Sequence, residues 1–210
     1  MFRFLIPPGL RALVLILALT ATAGPARAGE PQTAIFAGGC FWCVESDFDR
    51  IPGVLETVSG YTGGTLADPS YEQVTGGGTG HYEAVRIRFD PDRVSYADLV
   101  AALFRSIDPT DAGGQFCDRG PSYRSAIFVR DATQRTAAAA EMKKAETALG
   151  RALVTPILEA GVFYPAEDYH QDFYKKSANR YRFYRWSCGR DRQVKRIWGA
   201  DAFQGIPGKR

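Results

Sequence analysis

The sequence predicts an α+β fold, a two-layer α/β sandwich in which helices pack on one central mixed sheet. Three observations carry this. Along His81–Phe89 the residues Glu83, Val85, Ile87 and Phe89 share one parity, while Tyr82, Arg86 and Arg88 share the other, the period of a half-buried strand. Cys40, Val44, Phe48 and Ile51 recur at three- and four-residue spacing, the period of a helix with one buried face. Strand-like and helix-like segments interleave in the order β-α-β-β-α-β-α-β.

The elements follow in order. Thr33–Ala37 is a short apolar, β-prone run ended by Gly38-Gly39, and the helix from Cys40 follows until Pro52-Gly53 stops it. Val54–Ser59 reads as a second strand. Gly60 to Gly80 reads as a long glycine-rich loop, a length that often carries function. After the His81–Phe89 strand, Ser95 caps a helix running to about Ile107, with Leu99, Ala102, Leu103 and Phe104 inward. A Gly/Asp-rich loop, Asp108–Pro121, precedes the strand Ser125–Val129. Asp131–Leu149 is Ala-rich and helical, Gly150 ends it, and Thr155–Glu159 reads as the last strand.

Composition is that of a globular protein: 45% hydrophobic and 23% charged excludes long disorder, a collagen repeat or a coiled coil. The formal net charge of +3 comes from the first residues. Residues 1–28 hold Arg3, Arg11 and Arg27 and no acid, so without them acidic and basic residues balance. That segment reads as a secretory signal peptide. It has a basic start, an apolar run Ala12–Ala23 and an Ala26-Arg27-Ala28 cleavage pattern before Gly29. The alternative, an anchor helix, has an uncharged run shorter than the roughly 20 residues a spanning helix needs. The expected product is an exported protein, periplasmic or secreted, with residues 29–210 as a single catalytic domain and no membrane attachment after cleavage.

Cys40, Cys43, Cys117 and Cys188 are an even number in a chain expected to be exported, which fits two structural disulfides. The first pair also fits chemistry. Cys40 follows a strand and two glycines and opens a helix, where free N–H groups and the helix dipole favour a thiolate, and Cys43 lies one turn on. Cys117 and Cys188 stand far apart in sequence, so no metal site is expected.

Gly39-Cys40-Phe41-Trp42-Cys43-Val44-Glu45 resembles the signature of the A-type peptide methionine sulfoxide reductases. Four further blocks match in the family's order: Gly60-Tyr61-Thr62-Gly63-Gly64, Gly80-His81-Tyr82-Glu83-Ala84-Val85, Tyr123-Arg124-Ser125-Ala126-Ile127 and Ala166-Glu167-Asp168-Tyr169-His170-Gln171. The resemblance implies a ferredoxin-like core within the sandwich and thiol-dependent reduction of methionine S-sulfoxide, in proteins, peptides or free.

Such a reaction needs a nucleophile for sulfur, a proton for the departing oxygen, an apolar seat for the S-methyl group and an electron donor. Cys40 is the candidate nucleophile. Glu83 is the candidate acid: its parity aims it at the apolar side, where desolvation should hold its proton. The resemblance places Tyr61, Tyr123 and Asp118 in the site and makes Phe41 and Trp42 the methyl pocket. A Cys40 sulfenic acid would condense with a second thiol. Cys43 and Cys188 are both candidates, Cys188 being favoured because closing Cys40 on Cys43 strains a regular helix. Cys117 has no role on sequence grounds. The family's reductant is thioredoxin; a thioredoxin-like thiol donor is expected here, with no bound cofactor and a monomeric enzyme.

Two rivals are set beside this. A thioredoxin-like oxidoreductase would also carry C-x-x-C near a βα junction, but Phe41-Trp42 is not the small or proline-containing pair of such motifs. A binding module would use the basic stretch Lys175–Arg196, nine Lys and Arg against the single acid Asp191, interleaved with Tyr181, Phe183, Tyr184 and Trp186. In an exported chain no nucleic acid partner is expected. That stretch reads instead as a flexible, solvated basic tail that carries Cys188 and packs its aromatics on an acidic body.

Overall fold

The structure, a computed structural model, describes Met1 and residues 29–209. The leader expected over residues 1–28 otherwise lies outside the described residues. The fold starts with β1 (Gln32–Gly38), whose Ala34 and Phe36 are fully buried. α1 (Phe41–Phe48) follows, and Ile51 is buried just beyond its end. β2 (Val54–Thr62) runs past the strand read from the sequence. A Cβ on its Gly60 would lie 2.3 Å from the Tyr164 carbonyl, so this glycine admits a neighbouring strand and does not break its own.

The expected Gly60–Gly80 loop contains α2 (Tyr71–Gly76). Its capping box is Ser70 and Gln73: the Ser70 hydroxyl accepts from the Gln73 N–H, and the Gln73 carbonyl oxygen accepts from the Ser70 N–H at 2.8 Å. β3 (Tyr82–Phe89) buries Glu83, Val85, Ile87 and Phe89, as the alternation predicts. α3 (Tyr96–Phe104) starts at the Ser95 cap. The second loop holds a small hairpin, β4 (Gly114–Gln115) and β5 (Asp118–Arg119), and leads through a tight turn to β6 (Ser125–Val129). α4 (Ala132–Leu149) is capped by Asp131 and ended by Gly150 in the left-handed conformation, φ 67°. β7 (Ile157–Glu159) and β8 (Tyr164–Pro165) complete the strands.

The main sheet has the order β7-β6-β1-β3-β2-β8. β6 and β7 are parallel and the other neighbours antiparallel, so the sheet is mixed and the class α+β, as predicted. On one face Phe36, Val85, Ile87 and Phe89 meet the helices through Phe48, Leu99 and Leu103. Each such side chain contributes about 1.5–3 kcal/mol on burial. The alternate residues Ile35, Ala37, Tyr82 and Ala84 pack with Phe128 and are covered by Leu158 and Phe163. The chemistry of α1 therefore sits at the edge of a rigid double-faced sheet.

The basic stretch departs from expectation. It forms α5 (Phe173–Lys176), α6 (Ala178–Cys188) and α7 (Arg190–Trp198), packed on the body rather than flexible. Arg185 and Arg190 are only 5% and 1% exposed. Arg185 pairs with buried Asp47 at 3.0 Å, and Arg190 donates to the carbonyls of Gly38 and Ser106 at 3.0 and 3.1 Å. Tyr181 is buried, but Phe183 and Trp186 face solvent, so only part of the aromatic set packs inward. Among the described residues no helix is long and apolar enough to cross a membrane.

Candidate active site

Gly38 and Gly39 bring the chain out of β1 and into α1. Gly39 has φ +81°, and a Cβ there would come 2.5 Å from that of buried Gln115; both demand glycine. Cys40 is the cap residue of α1, its carbonyl accepting the Cys43 N–H at 3.0 Å, while its side chain makes no capping hydrogen bond. The free N–H of Phe41 goes to Glu83, 3.0 Å from Oε2. The sequence expectation gave the helix N–H groups to a Cys40 thiolate; the structure gives the nearest one to a carboxyl group instead.

The two thiols at the start of α1 are free and buried one turn apart. Burial pushes the Cys40 thiol well above its ordinary range, and the neighbouring Cys43 sulfur adds to this. Against the upward push of burial, the neighbouring Cys40 thiol and the charges of Arg185 and Arg190 bring Cys43 down to about 7. A negative charge on the pair is thus opposed by burial and favoured by the two guanidinium groups. The cations that favour it come from the segment taken for a solvated tail.

Glu83 is fully enclosed, and burial raises its carboxyl to about 8, opposed by the Phe41 N–H. It is a neutral acid at pH 7, as its strand parity predicts. Tyr61 and Tyr123 flank it, and burial raises both phenols well above their usual range. Tyr61 donates to Glu167 Oε2 at 2.8 Å, and burial pushes the Tyr71 phenol up to about 12. Glu167 also accepts the Tyr71 N–H at 2.9 Å, so it ties β2 to the start of α2.

The aromatic pair splits its work. Phe41 is buried against His170, Tyr61 and Tyr71, with ring centroids 4.9, 6.0 and 6.5 Å away. Trp42 is partly exposed and stacks on Phe173 at 3.9 Å, its indole N–H donating to His170 Nδ1 at 3.1 Å. His170 is itself buried, and burial holds its pKa below the usual imidazole value, so it stays neutral. The result is an apolar wall with one half-open side.

Asp118, on β5, accepts from Tyr184 of α6 at 2.5 Å. Burial raises its pKa, opposed by Tyr184 and Arg190. Next to it, Cys117 and Cys188 form a disulfide. Cys117, left without a role by the sequence, is thus joined to a cysteine expected to resolve Cys40. The ligand atoms of Cys117, Asp118 and Cys188 lie within 4.8 Å of one another, but sulfurs bound to each other offer no thiolate to a metal.

The structure brings Cys40, Cys43, Glu83, Tyr61, Tyr123, Asp118, Phe41 and Trp42 into one region. It adds Tyr71, Glu167, His170, Tyr184, Arg185 and Arg190, which sequence reasoning passed over. Glu167 and His170 lay inside a matched block without an assigned task. Tyr184, Arg185 and Arg190 lay in the basic aromatic stretch read as a solvated tail, and nothing local marked Tyr71.

The family model for peptide methionine sulfoxide reductase matches residues 32–202. A peptide methionine sulfoxide reductase MsrA 2 of Rhizobium meliloti is 60% identical over 182 residues, covering 87% of this chain and 91% of its own. A second, from Caulobacter vibrioides, is 47% identical, covering 90% of this chain and all of its own. Among solved structures, methionine sulfoxide reductase A of Corynebacterium diphtheriae superposes with a TM-score of 0.64 at 32% identity, covering 70% of this chain and 76% of its own. Reduced Mxr1 from Saccharomyces cerevisiae gives 0.66 at 28%, covering 71% and 87%. With the matched region running from β1 through α7 and holding every element of the thiol–carboxyl site, the chain belongs to the peptide methionine sulfoxide reductase family.

Proposed function

We propose that this enzyme reduces the S epimer of methionine sulfoxide, in oxidised proteins and peptides and also as the free amino acid. The observation that carries the reading is a buried carboxyl group, Glu83, whose proton burial retains, held by the Phe41 N–H beside the free Cys40 and Cys43, where Arg185 and Arg190 favour a thiolate. Thiolate and neutral acid therefore coexist at neutral pH.

A proton shift between the two neighbouring thiols places the charge on Cys40 and the proton on Cys43. Cys40 attacks the sulfoxide sulfur and Glu83 delivers its proton to the oxygen; the hydroxyl group then passes from that sulfur to Cys40 Sγ as the new S–S bond to methionine breaks. Methionine leaves, Cys40 becomes a sulfenic acid and Glu83 a carboxylate. Phe41 and Trp42 seat the S-methyl group, and Tyr61 and Tyr123 orient the oxygen once the Tyr61 phenol turns from Glu167. Asp118 stands at the resolving side, beside Cys188. Cys188 or Cys43 condenses with the sulfenic acid, releasing water, and a thioredoxin-like dithiol returns the enzyme to its reduced state.

The strand order β6-β1-β3-β2, with α1 joining β1 to β2 and α3 joining β3 to β6, supports reading the centre of the sheet as a ferredoxin-like core. We also infer a cleaved leader over residues 1–28, a single monomeric catalytic domain over 29–210, and a periplasmic or secreted site of action. The support is the charge and apolar pattern of that leader.

The test is turnover of each resolved epimer by wild type and by each of the four Cys→Ser variants. The S epimer alone should be reduced, and Cys40→Ser should be inert. Turnover by Cys40→Ser would overturn the assignment.

A further inference from the structure

The two sulfurs of the Cys117–Cys188 disulfide are presented differently. Cys117 sits at the β4–β5 turn and is exposed, whereas Cys188 closes α6 and is only 9% exposed. The backbone N–H of Cys117 donates to Cys188 Sγ at 3.2 Å, and no described residue donates to Cys117 Sγ. The Asp118 carboxyl lies 3.7 Å from one sulfur and 4.0 Å from the other. Tyr184, one turn before Cys188 on the same helix, packs into the cluster of Cys40 and Cys43. The disulfide therefore has an outer sulfur facing solvent and an inner sulfur on the helix that lines the thiol site.

Thiol–disulfide exchange favours the accessible sulfur as the point of attack and the better stabilised thiolate as leaving group. Both criteria select the same direction here. Resting on the sulfoxide reductase reading above, the geometry points to Cys117 as the sulfur through which an external dithiol protein reduces this enzyme, with Cys188 as the inner leaving group.

The reductant's thiolate bonds to Cys117 Sγ, the Cys117–Cys188 bond breaks, and Cys188 leaves as a thiolate held by the Cys117 N–H. The reductant's second thiolate then attacks its own sulfur in the mixed disulfide and releases Cys117. Two electrons pass: the reductant ends as a disulfide and the enzyme as a dithiol. In the oxidising direction, Cys188 condenses with the Cys40 sulfenic acid and releases water. Cys117 thiolate then attacks Cys188 Sγ, freeing Cys40 and restoring the outer disulfide. Cys43 is left as the neighbouring thiol of Cys40 rather than its resolver.

The experiment uses the full reduced chain, one equivalent of methionine S-sulfoxide, and a bacterial thioredoxin whose second active-site cysteine is replaced by serine. Methionine released before thioredoxin is added reports the reductase reading by itself. Peptide mapping of the trapped mixed disulfide then reports the inference. The adduct is expected on Cys117, about tenfold or more over any other cysteine. An adduct mainly on Cys188, Cys43 or Cys40 overturns it. In parallel, Cys117→Ser with unmodified thioredoxin should turn over about tenfold or more slowly and accumulate a Cys40–Cys188 disulfide. Turnover equal to wild type overturns the inference whatever the trap yields.

Discussion

The backbone N–H of Phe41 donates to Glu83 Oε2 at 3.0 Å. This bond joins the first residue of α1 to the second of β3 and sets the carboxyl group beside the residue that follows Cys40. It occupies one oxygen and leaves the other to carry the proton that burial retains.

Glu83→Gln should slow single turnover, because an amide donates a hydrogen bond but has no proton to give up, and Glu83→Ala, which loses both, should slow it by about 10²–10⁴-fold. Wild-type turnover should fall as pH rises through about 8, and this limb should be missing in Glu83→Gln. Stability moves with it. A carboxyl raised from 4.5 to about 8 on folding contributes stability that is full below 4.5 and is lost progressively as pH rises to about 8. Scanning calorimetry at pH 5 and pH 8 should show Glu83→Gln gaining on wild type at the higher pH, by up to a few kcal/mol.

Alkylation of the reduced protein by iodoacetamide should follow a titration near pH 7, the first ionisation of the Cys40–Cys43 pair. In Cys40→Ala the remaining Cys43 loses the neighbouring thiol that helps to lower it, and the midpoint should move up by about one pH unit. An unmoved midpoint would show that Arg185 and Arg190 suffice without the second sulfur.

Arg185→Met should destabilise by about 3–5 kcal/mol in urea unfolding, since it leaves Asp47 enclosed with Lys209 3.4 Å away as its remaining cation. Arg185→Met with Asp47→Leu should recover most of that loss, because the cost lies in the orphaned charge. The reactive thiol of the double variant should still titrate higher than in wild type.

His170→Ala should raise KM by up to about tenfold with a smaller change in kcat, as Trp42 loses the acceptor that fixes its indole. The pH profile between 6.5 and 8 should keep its shape, because burial holds His170 neutral there. A new ionisation in that range would assign His170 a proton-transfer task instead.

The fold was legible where periodicity and caps coincide. β1, β3, β6 and α4 follow their patterns closely, and the Ser95 cap sits where read. The reading faltered at Gly60, where glycine answers a contact with Tyr164 some hundred residues away. It also faltered at Ser70–Gln73, a capping signal hidden among glycines. The basic tail misled for a related reason: Arg185 and Arg190 look solvated until Asp47 and the Gly38 carbonyl are placed against them.

The sequence by itself determined the sandwich class, the thiol at a strand-to-helix junction and the buried face of Glu83. These rest on local spacing, which the backbone periods of 2 and 3.6 translate directly into direction. The packed structure was needed to join Cys117 to Cys188 and to bring the cations favouring the thiolate from α6 and α7. Pairings of this kind join residues up to about 150 positions apart and depend on how elements pack, a relation that no spacing along the chain encodes.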